Sequence, residues 1–205
     1  MKKITVVLAV LLMLSASLFA QGANEASSAS KTITVGICQF VQHPALDAAT
    51  QGFMDAITKA MGDSVKFDNQ NASAEITNCA TIINGFVSKN VNLIMANATP
   101  PLQAAASATN TIPVLGTSVT DYATALEIDA AKWNGTVGTN VSGTSDLAPL
   151  SEQAKMIKEL FPSAKKVALL YCSAEANSAY QIGEVEKYLK DMGVATERFA
   201  FTDTN

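Results

Sequence analysis

The sequence feature that most constrains the fold is an alternation of short apolar segments with longer amphipathic ones from residue 33 onward. Residues 33–40 form an apolar stretch of strand length, and apolar residues then recur at helical spacing through residues 45–61. Further strands are predicted at residues 65–69, 91–96, 112–115 and 137–141. Near-continuous apolar strands separated by helices are typical of a parallel sheet covered on both faces. The sequence therefore predicts an α/β fold.

The connecting segments carry helix start and stop signals. Gly62 is placed to end the first helix, and Ser73 is placed to cap the second. The predicted inward face of that second helix carries Ile76, Cys79, Ala80, Ile83 and Val87. Thr99, followed by Pro100, reads as the cap of a third helix with proline at its first position.

A second unit is predicted from residue 142 onward. Helices are predicted at 146–161 and 177–192, with Phe161 on the inward face of the first, and strands at 166–171 and 196–201. Two strands and two helices make a poor independent sheet. We therefore expect a first α/β lobe at residues 32–141 and an incomplete second lobe at 142–205, in a chain that is a fragment or a truncated product.

The N-terminus has the layout of an export signal. Lys2 and Lys3 precede an apolar run, and small residues follow it up to Gly22. Residues 1–22 are thus predicted to be a signal peptide and residues 23–31 a polar tether, with a membrane anchor as the alternative. The nearest cysteine, Cys38, lies in a predicted strand, so no lipobox is visible. We expect an exported, periplasmic or extracytoplasmic protein.

Composition excludes several functions. The chain has 14 basic and 18 acidic residues and a net charge of −4, which argues against a nucleic-acid partner. One histidine and three cysteines, without CxxC or metal spacing, predict no metal site. The sequence has no phosphate-binding loop and no complete GxSxG motif, so we predict neither an enzyme nor a bound cofactor. The cysteines are expected to be free, with one disulfide as the alternative.

Candidate ligand-binding residues follow the strands, because parallel sheets bind ligands at the carboxyl ends of their strands. The ring of Phe40 could stack on a ligand or belong to the core. Thr99 would leave free helix N–H groups for a carboxylate. Thr117, Ser118 and Asp121 follow the fourth predicted strand. The hydroxyl groups suit a carboxylate and Asp121 suits an ammonium group, with a polar turn as the alternative.

Four further polar residues are interpreted from their positions. Ser173, Glu175 and Asn177 follow the strand predicted at 166–171. Glu175 could pair with an ammonium group, whereas Asn177 could equally cap the next helix. His43, which precedes Pro44, is expected to lie at the surface or cap a loop rather than contact a ligand.

Several segments resemble the substrate-binding proteins of bacterial ABC importers, of the type I periplasmic-binding fold and the tryptophan/tyrosine type. The segments that carry the resemblance are VGICQFVQHPALDAATQGF (35–53), NQNASAE (69–75), ANATPPLQAAA (96–106), TSVTDY (117–122), NVSGTSDLAP (140–149) and LLYCSAEANSAYQ (169–181). They lie in the family's order and spacing across residues 32–205. Two features depart from the family: Tyr122 stands where proline is usual, and the family continues through a full second lobe.

The resemblance implies a monomer that captures a small solute between two lobes and delivers it to an ABC permease in the membrane. The implied solute is an amino acid, with an aromatic one suggested by the family type. The alternatives are a sugar-binding or sensory periplasmic protein of the same fold, or a non-functional truncated product.

Overall fold

The computed structural model describes residues 32–202, which contain two parallel sheets. The predicted signal peptide and tether lie outside these residues. The strands are β1 (Ile33–Gln39), β2 (Val65–Asn71), β3 (Leu93–Asn97), β4 (Val114–Val119), β5 (Val141–Ser145), β6 (Lys166–Cys172) and β7 (Ala195–Phe201). The first sheet has the order β2-β1-β3-β4-β5, and the second pairs β6 with β7. The predicted α/β fold with parallel sheets is confirmed.

Helices connect the strands. They are α1 (Pro44–Met61), α2 (Ile76–Ser88), α3 (Thr99–Ala108), the one-turn α4 (Tyr122–Ala125), α5 (Leu150–Leu160) and α6 (Ala176–Asp191). A 3₁₀ turn, Gly62–Ser64, follows α1. We call β1–β5 with α1–α4 the first lobe, and β6, β7, α5 and α6 the second lobe. Within residues 32–202, no helix combines the length and the apolar character that a membrane crossing needs.

The first sheet separates two cores, because alternate side chains of each strand point to opposite faces. Val35, Ile37 and Met95 pack on the α1 face, against Phe53 and neighbouring side chains. The opposite core, against α2 and α3, contains Cys38, Cys79, Ile83, Phe86, Ile94 and Leu102. Near β4 and β5 the α1 face is less covered, and a groove of about 340 Å³ opens there.

The second lobe has its own small core. Its buried residues include Leu150 and Ala154 from α5, Leu169 from β6, and Val185 and Leu189 from α6. Glu186 and Lys190 on α6 form an ion pair at 3.4 Å, and Gly193 follows the helix with a φ of 72°. Phe161 was predicted to face inward, but it is 63% exposed. The reason is that α5 ends at Leu160, so residue 161 no longer follows the helical period.

Three predicted helix details are wrong. The N-cap of α2 is Glu75 rather than Ser73, which lies in the preceding loop with a φ of 56°. Ala98 is the N-cap of α3, so Thr99 is the first helical residue instead of the cap. Ile76 is 47% exposed, because the first turn of α2 borders a cavity between the lobes. The stop at Gly62 is confirmed, with a φ of 54° and an N–H bond to the carbonyl of Thr58.

The fourth and fifth strands begin later than predicted. The Thr109 side chain accepts hydrogen bonds from the N–H groups of Thr111 and Ile112, which makes this segment a turn. Strand β4 therefore starts at Val114. The Asn140 amide donates to the carbonyls of Thr109 and Ile112, and β5 starts only at Val141. Both strands extend further into polar sequence than their apolar residues indicated.

Candidate ligand-binding site between the two lobes

A cavity of about 210 Å³ lies between the lobes, at the carboxyl ends of β1, β2 and β6. Its first-lobe wall includes Phe40, Ser73, Glu75 and Ile76, and its second-lobe wall includes Cys172 and Glu175. Of the predicted site residues, Phe40 and Glu175 are therefore brought together, one from each lobe. This position agrees with the general rule that ligands bind beyond the carboxyl ends of parallel strands.

The position of Phe40 is compatible with both interpretations of its ring, as a core residue and as a ligand contact. It is buried within the core on the α2 face and also borders the cavity. Its backbone is fixed on both sides: its N–H donates to the carbonyl of Asn97 at 3.1 Å, and its carbonyl accepts from the N–H of Ala74 at 2.8 Å. The backbone that carries this ring at the cavity wall is therefore held by hydrogen bonds on both sides.

The loop after β2 has a strained backbone. Ser73 and Ala74 have φ values of 56° and 64°, in the left-handed region that favours glycine. The Asn71 side chain accepts the N–H of Ser73 at 2.7 Å, and the N–H of Ala72 binds the carbonyl of Gln39 at 2.8 Å. Strained non-glycine residues that are held by surrounding hydrogen bonds cluster at ligand sites.

The second-lobe wall is formed by the start of α6. Glu175 is the N-cap residue, and its carboxylate accepts a hydrogen bond from the Ser178 hydroxyl at 3.3 Å. Ser173 does not line the cavity. Its hydroxyl and N–H both donate to the carbonyl of Phe201, which ties the end of β6 to β7. Asn177 lies inside the first turn of α6, so it is not the cap.

The charge of the cavity is negative at both walls. Glu75 precedes α2 and Glu175 precedes α6, and the described lining includes no lysine or arginine. A ligand that brings an ammonium group gains charge-assisted hydrogen bonds from such carboxylates. Ile76 and Thr77 of the first turn of α2 also line the cavity, and the N–H groups of a first helical turn suit a carboxylate. The cavity can thus accommodate both charges of an amino acid.

Three predicted residues lie in the first lobe away from this cavity. Thr117 and Ser118 do not follow β4 but lie within it, so that part of the prediction is wrong. Thr117 borders the groove on the α1 face, and Ser118 sits at a bulge with a φ of 55°. Thr99 is buried in the first turn of α3.

Asp121 lies at a second contact between the lobes. Its carboxylate caps α4 by accepting the N–H of Thr124 at 2.7 Å. Helix α4 packs against α6, where burial, followed by the charge of Asp121, raises the pKa of Tyr180. Asp121 thus contributes to the interface of the lobes, and it shares a helix-capping role with His43, whose Nδ1 accepts the N–H of Ala45.

Sequence reasoning missed Ser73, Glu75, Ile76 and Cys172 as lining residues. Ser73 was predicted as a helix cap and Ile76 as an inward helix residue, and neither Glu75 nor Cys172 was named as a ligand contact. The available signal was position, since all four lie within a few residues of a strand end. Tyr122, which stands where the family usually has proline, is buried, and its hydroxyl donates to the carbonyl of Thr144.

Comparison with known proteins agrees with this architecture. A family model for ABC transporter substrate binding proteins matches residues 34–205. The chain belongs to this family of solute-binding proteins, and the resemblance predicted from the sequence is confirmed. Its fold is the type I periplasmic-binding fold that related solved structures share.

Over the aligned segments, individual relatives are about one third identical to this chain. A tyrosine-binding protein of Clostridioides difficile is 37% identical over 174 residues, covering 83% of this chain and 50% of the relative. The ABC domain of Streptococcus pneumonia in complex with L-Trp has 34% identity and a TM-score of 0.77. A conserved domain protein of Vibrio cholerae has 32% identity and a TM-score of 0.78. Each structural match covers 84% of this chain and 58% of the other. The chain thus spans about half the length of the curated relative.

Proposed function

We propose that the protein captures an aromatic L-amino acid between its lobes, outside the cytoplasm, and delivers it to the membrane permease of an ABC importer. The observation that carries the proposal is the cavity that Phe40 of the first lobe and Glu175 of the second both line. A ligand that touches both walls stabilises the closed arrangement of two lobes. Support also comes from relatives described as binding tyrosine and L-Trp.

The residues have distinct roles in this proposal. The ring of Phe40 contacts the aromatic side chain, where stacked or edge-on rings are favoured. Glu175, with Glu75 opposite, accepts hydrogen bonds from the α-ammonium group. The start of α2 is available to the ligand carboxylate. Ser173 and Asn177 support the second wall, and Thr99, Thr117, Ser118 and Asp121 support the first lobe. The protein binds its solute without transforming it.

The test is isothermal titration calorimetry with L-tyrosine, L-tryptophan, L-leucine and D-glucose. We expect the two aromatic amino acids to bind more tightly than leucine, and glucose not to bind. Tyramine should retain more affinity than 3-(4-hydroxyphenyl)propionate, since the amine keeps the ammonium group that two carboxylates face. If neither aromatic amino acid binds, the proposed ligand class is wrong.

A matched pair of variants tests the role of Glu175. Glu175→Gln should weaken L-tyrosine binding by about tenfold to a hundredfold, the effect of losing one charge-assisted hydrogen bond. The control is Glu184→Gln, since Glu184 pairs with Lys187 one turn along α6 and does not line the cavity. Equal affinity of Glu175→Gln and wild type would remove Glu175 from the site.

A further inference from the structure

A chain of hydrogen-bonded side chains lies directly behind Phe40, between the first sheet and α1. The Thr50 hydroxyl donates to Gln39 Oε1 at 2.7 Å, and Asn97 Nδ2 donates to Thr50 Oγ1 at 2.9 Å. Gln39 Nε2 donates to Asp47 Oδ1 at 2.6 Å. Gln39, Thr50 and Asn97 are all buried. We refer to these four residues, Asp47, Gln39, Thr50 and Asn97, as the Gln39 network.

The direction of every bond in the Gln39 network is fixed. An ionised carboxylate only accepts, so the amide nitrogen of Gln39 must face Asp47 and its oxygen must face Thr50. Asn97 Nδ2 also donates to the carbonyl of Leu46 at 2.8 Å, and a carbonyl likewise only accepts. The network therefore has a single arrangement rather than several of similar energy.

The Gln39 network holds the segment that carries Phe40. Gln39 ends β1 and Asn97 ends β3, while Asp47 and Thr50 lie in the first two turns of α1. Gln39 Nε2 also donates to the carbonyl of Val41 at 2.9 Å. The carbonyl of Asn97 accepts the N–H of Phe40. Phe40 is thus bracketed by two members of the network, one binding its own N–H and the other the next residue's carbonyl.

One atom of the network is unfavourable for stability. Asn97 Oδ1 is buried and has no hydrogen-bond partner among the described residues. An apolar side chain would fill a layer between strand ends and a helix without leaving a polar atom unpaired. Asn97 is bonded through its carbonyl to Phe40, which lines the cavity, and a local rule broken at such a position indicates a requirement other than stability.

We propose that the Gln39 network is the positioning element of the cleft: it fixes Phe40 and the first turn of α1 in the geometry that binds the ligand. The proposal rests on the proposed function. According to this proposal, Thr50 and Asn97 contribute to ligand affinity as members of the network behind the cavity wall.

The test uses three variants of the full chain. Thr50→Val keeps the shape of the side chain and removes the hydroxyl that links Gln39 to Asn97. Thr50→Ser restores that hydroxyl. Thr109→Val is the matched control, because Thr109 is a buried threonine whose hydroxyl accepts two backbone N–H groups at the opposite, amino-terminal end of β4. For each variant, the melting temperature, the affinity for L-tyrosine and the hydrogen exchange of residues 40–47 are measured.

We expect Thr50→Val to weaken L-tyrosine binding about tenfold or more. Thr109→Val should lower the melting temperature to a similar extent but change the affinity for L-tyrosine by about twofold at most. Thr50→Ser should recover most of the loss. Wild-type affinity in Thr50→Val, or equal loss in both valine variants, would overturn the proposal.

Hydrogen exchange separates this proposal from the proposed function. If wild type binds neither L-tyrosine nor L-tryptophan, the ligand assignment fails, and exchange alone decides the role of the network. Exchange of residues 40–47 about tenfold faster in Thr50→Val than in Thr109→Val then supports a positioning role. Equal exchange in the two variants overturns it.

Discussion

At the scale of single residues, the three cysteines differ sharply in their surroundings. All are free, and Cys38 and Cys79 are fully buried, whereas Cys172 is partly exposed and borders the interlobe cavity. Contact with the Cys79 thiol, together with burial, raises the pKa of Cys38, so it stays protonated. Because Cys38 and Cys79 are fully buried, Cys172 is the thiol that a reagent in solution can reach.

This difference predicts a simple labelling result. A thiol reagent such as 5,5′-dithiobis(2-nitrobenzoate) should modify Cys172 quickly in the folded protein and reach all three cysteines in denaturant. Saturating L-tyrosine should slow the fast reaction, since a ligand in the cavity covers Cys172. Cys172→Ala should abolish the fast phase, and a fast phase that survives this change would contradict the assignment.

Tyr122 illustrates which residue-scale properties the sequence could not provide. Two glycines on neighbouring strands, Gly116 and Gly143, make room for its ring. A Cβ atom at either glycine would come within 2.4 Å of the Tyr122 hydroxyl oxygen. Burial, followed by the charge of Asp146, raises its pKa to about 12. Nothing in the local sequence indicates this burial, because it depends on the register of β4 and β5.

At the scale of elements, Glu186 joins α6 to β7. Its carboxylate accepts from Arg198 at 2.7 Å and from the Thr196 hydroxyl at 2.8 Å, and both partners belong to β7. These bonds, led by Arg198, lower the pKa of Glu186 to about 2. The ion pair of Glu186 with Lys190, on the same helix, is therefore only one part of a larger link between elements.

The lowered pKa of Glu186 predicts a pH dependence. A carboxyl group whose pKa is lower when folded contributes stability that is fully present above its unfolded value of about 4.5, and loses it as pH falls toward about 2. Glu186→Gln should therefore lower the melting temperature at pH 7 and flatten its decline below pH 4.5. Glu184→Gln, on the same helix, is the control, and an equally steep acid decline in Glu186→Gln would contradict the link.

Element boundaries show where sequence reasoning reached its limit. Strand β1 and helices α1 and α6 were predicted within one or two residues, because apolar periodicity and glycine stops mark them. The end of β4 was missed because Thr117 and Ser118 are polar. Thr117 nevertheless pairs with Asn97 of β3, and Ser118 lies at the bulge before Val119 pairs with Ser145 of β5. Likewise, the Gln39 network joins residues from three elements, and side-chain hydrogen bonds across such distances leave no periodic signal in the sequence.

At the scale of the whole molecule, the two lobes have unequal cores. The first sheet is packed on both faces, whereas the second consists of β6 and β7 with helices over the face that carries Leu169. The opposite face exposes Leu170 at 70% and Phe199 at 48%, which are paired in register. Two-stranded sheets have little stability of their own. The free energy needed to open the second lobe should therefore be lower than the free energy needed to open the first.

Leu169 and Leu170 allow this difference to be tested with neighbouring residues on opposite faces. Leu169 is 6% exposed, so Leu169→Ala should cost about 2–5 kcal/mol, while Leu170→Ala, at a 70% exposed site, should cost about 0.5 kcal/mol or less. Native-state hydrogen exchange should then accelerate in β6, β7 and α6 of Leu169→Ala and remain unchanged in β1 and β3. Acceleration of β1 and β3 to the same extent would mean that the lobes unfold as one unit. If the two lobes instead open independently, a ligand bound in the cavity would be the main coupling between them. L-tyrosine should then slow hydrogen exchange in both lobes together.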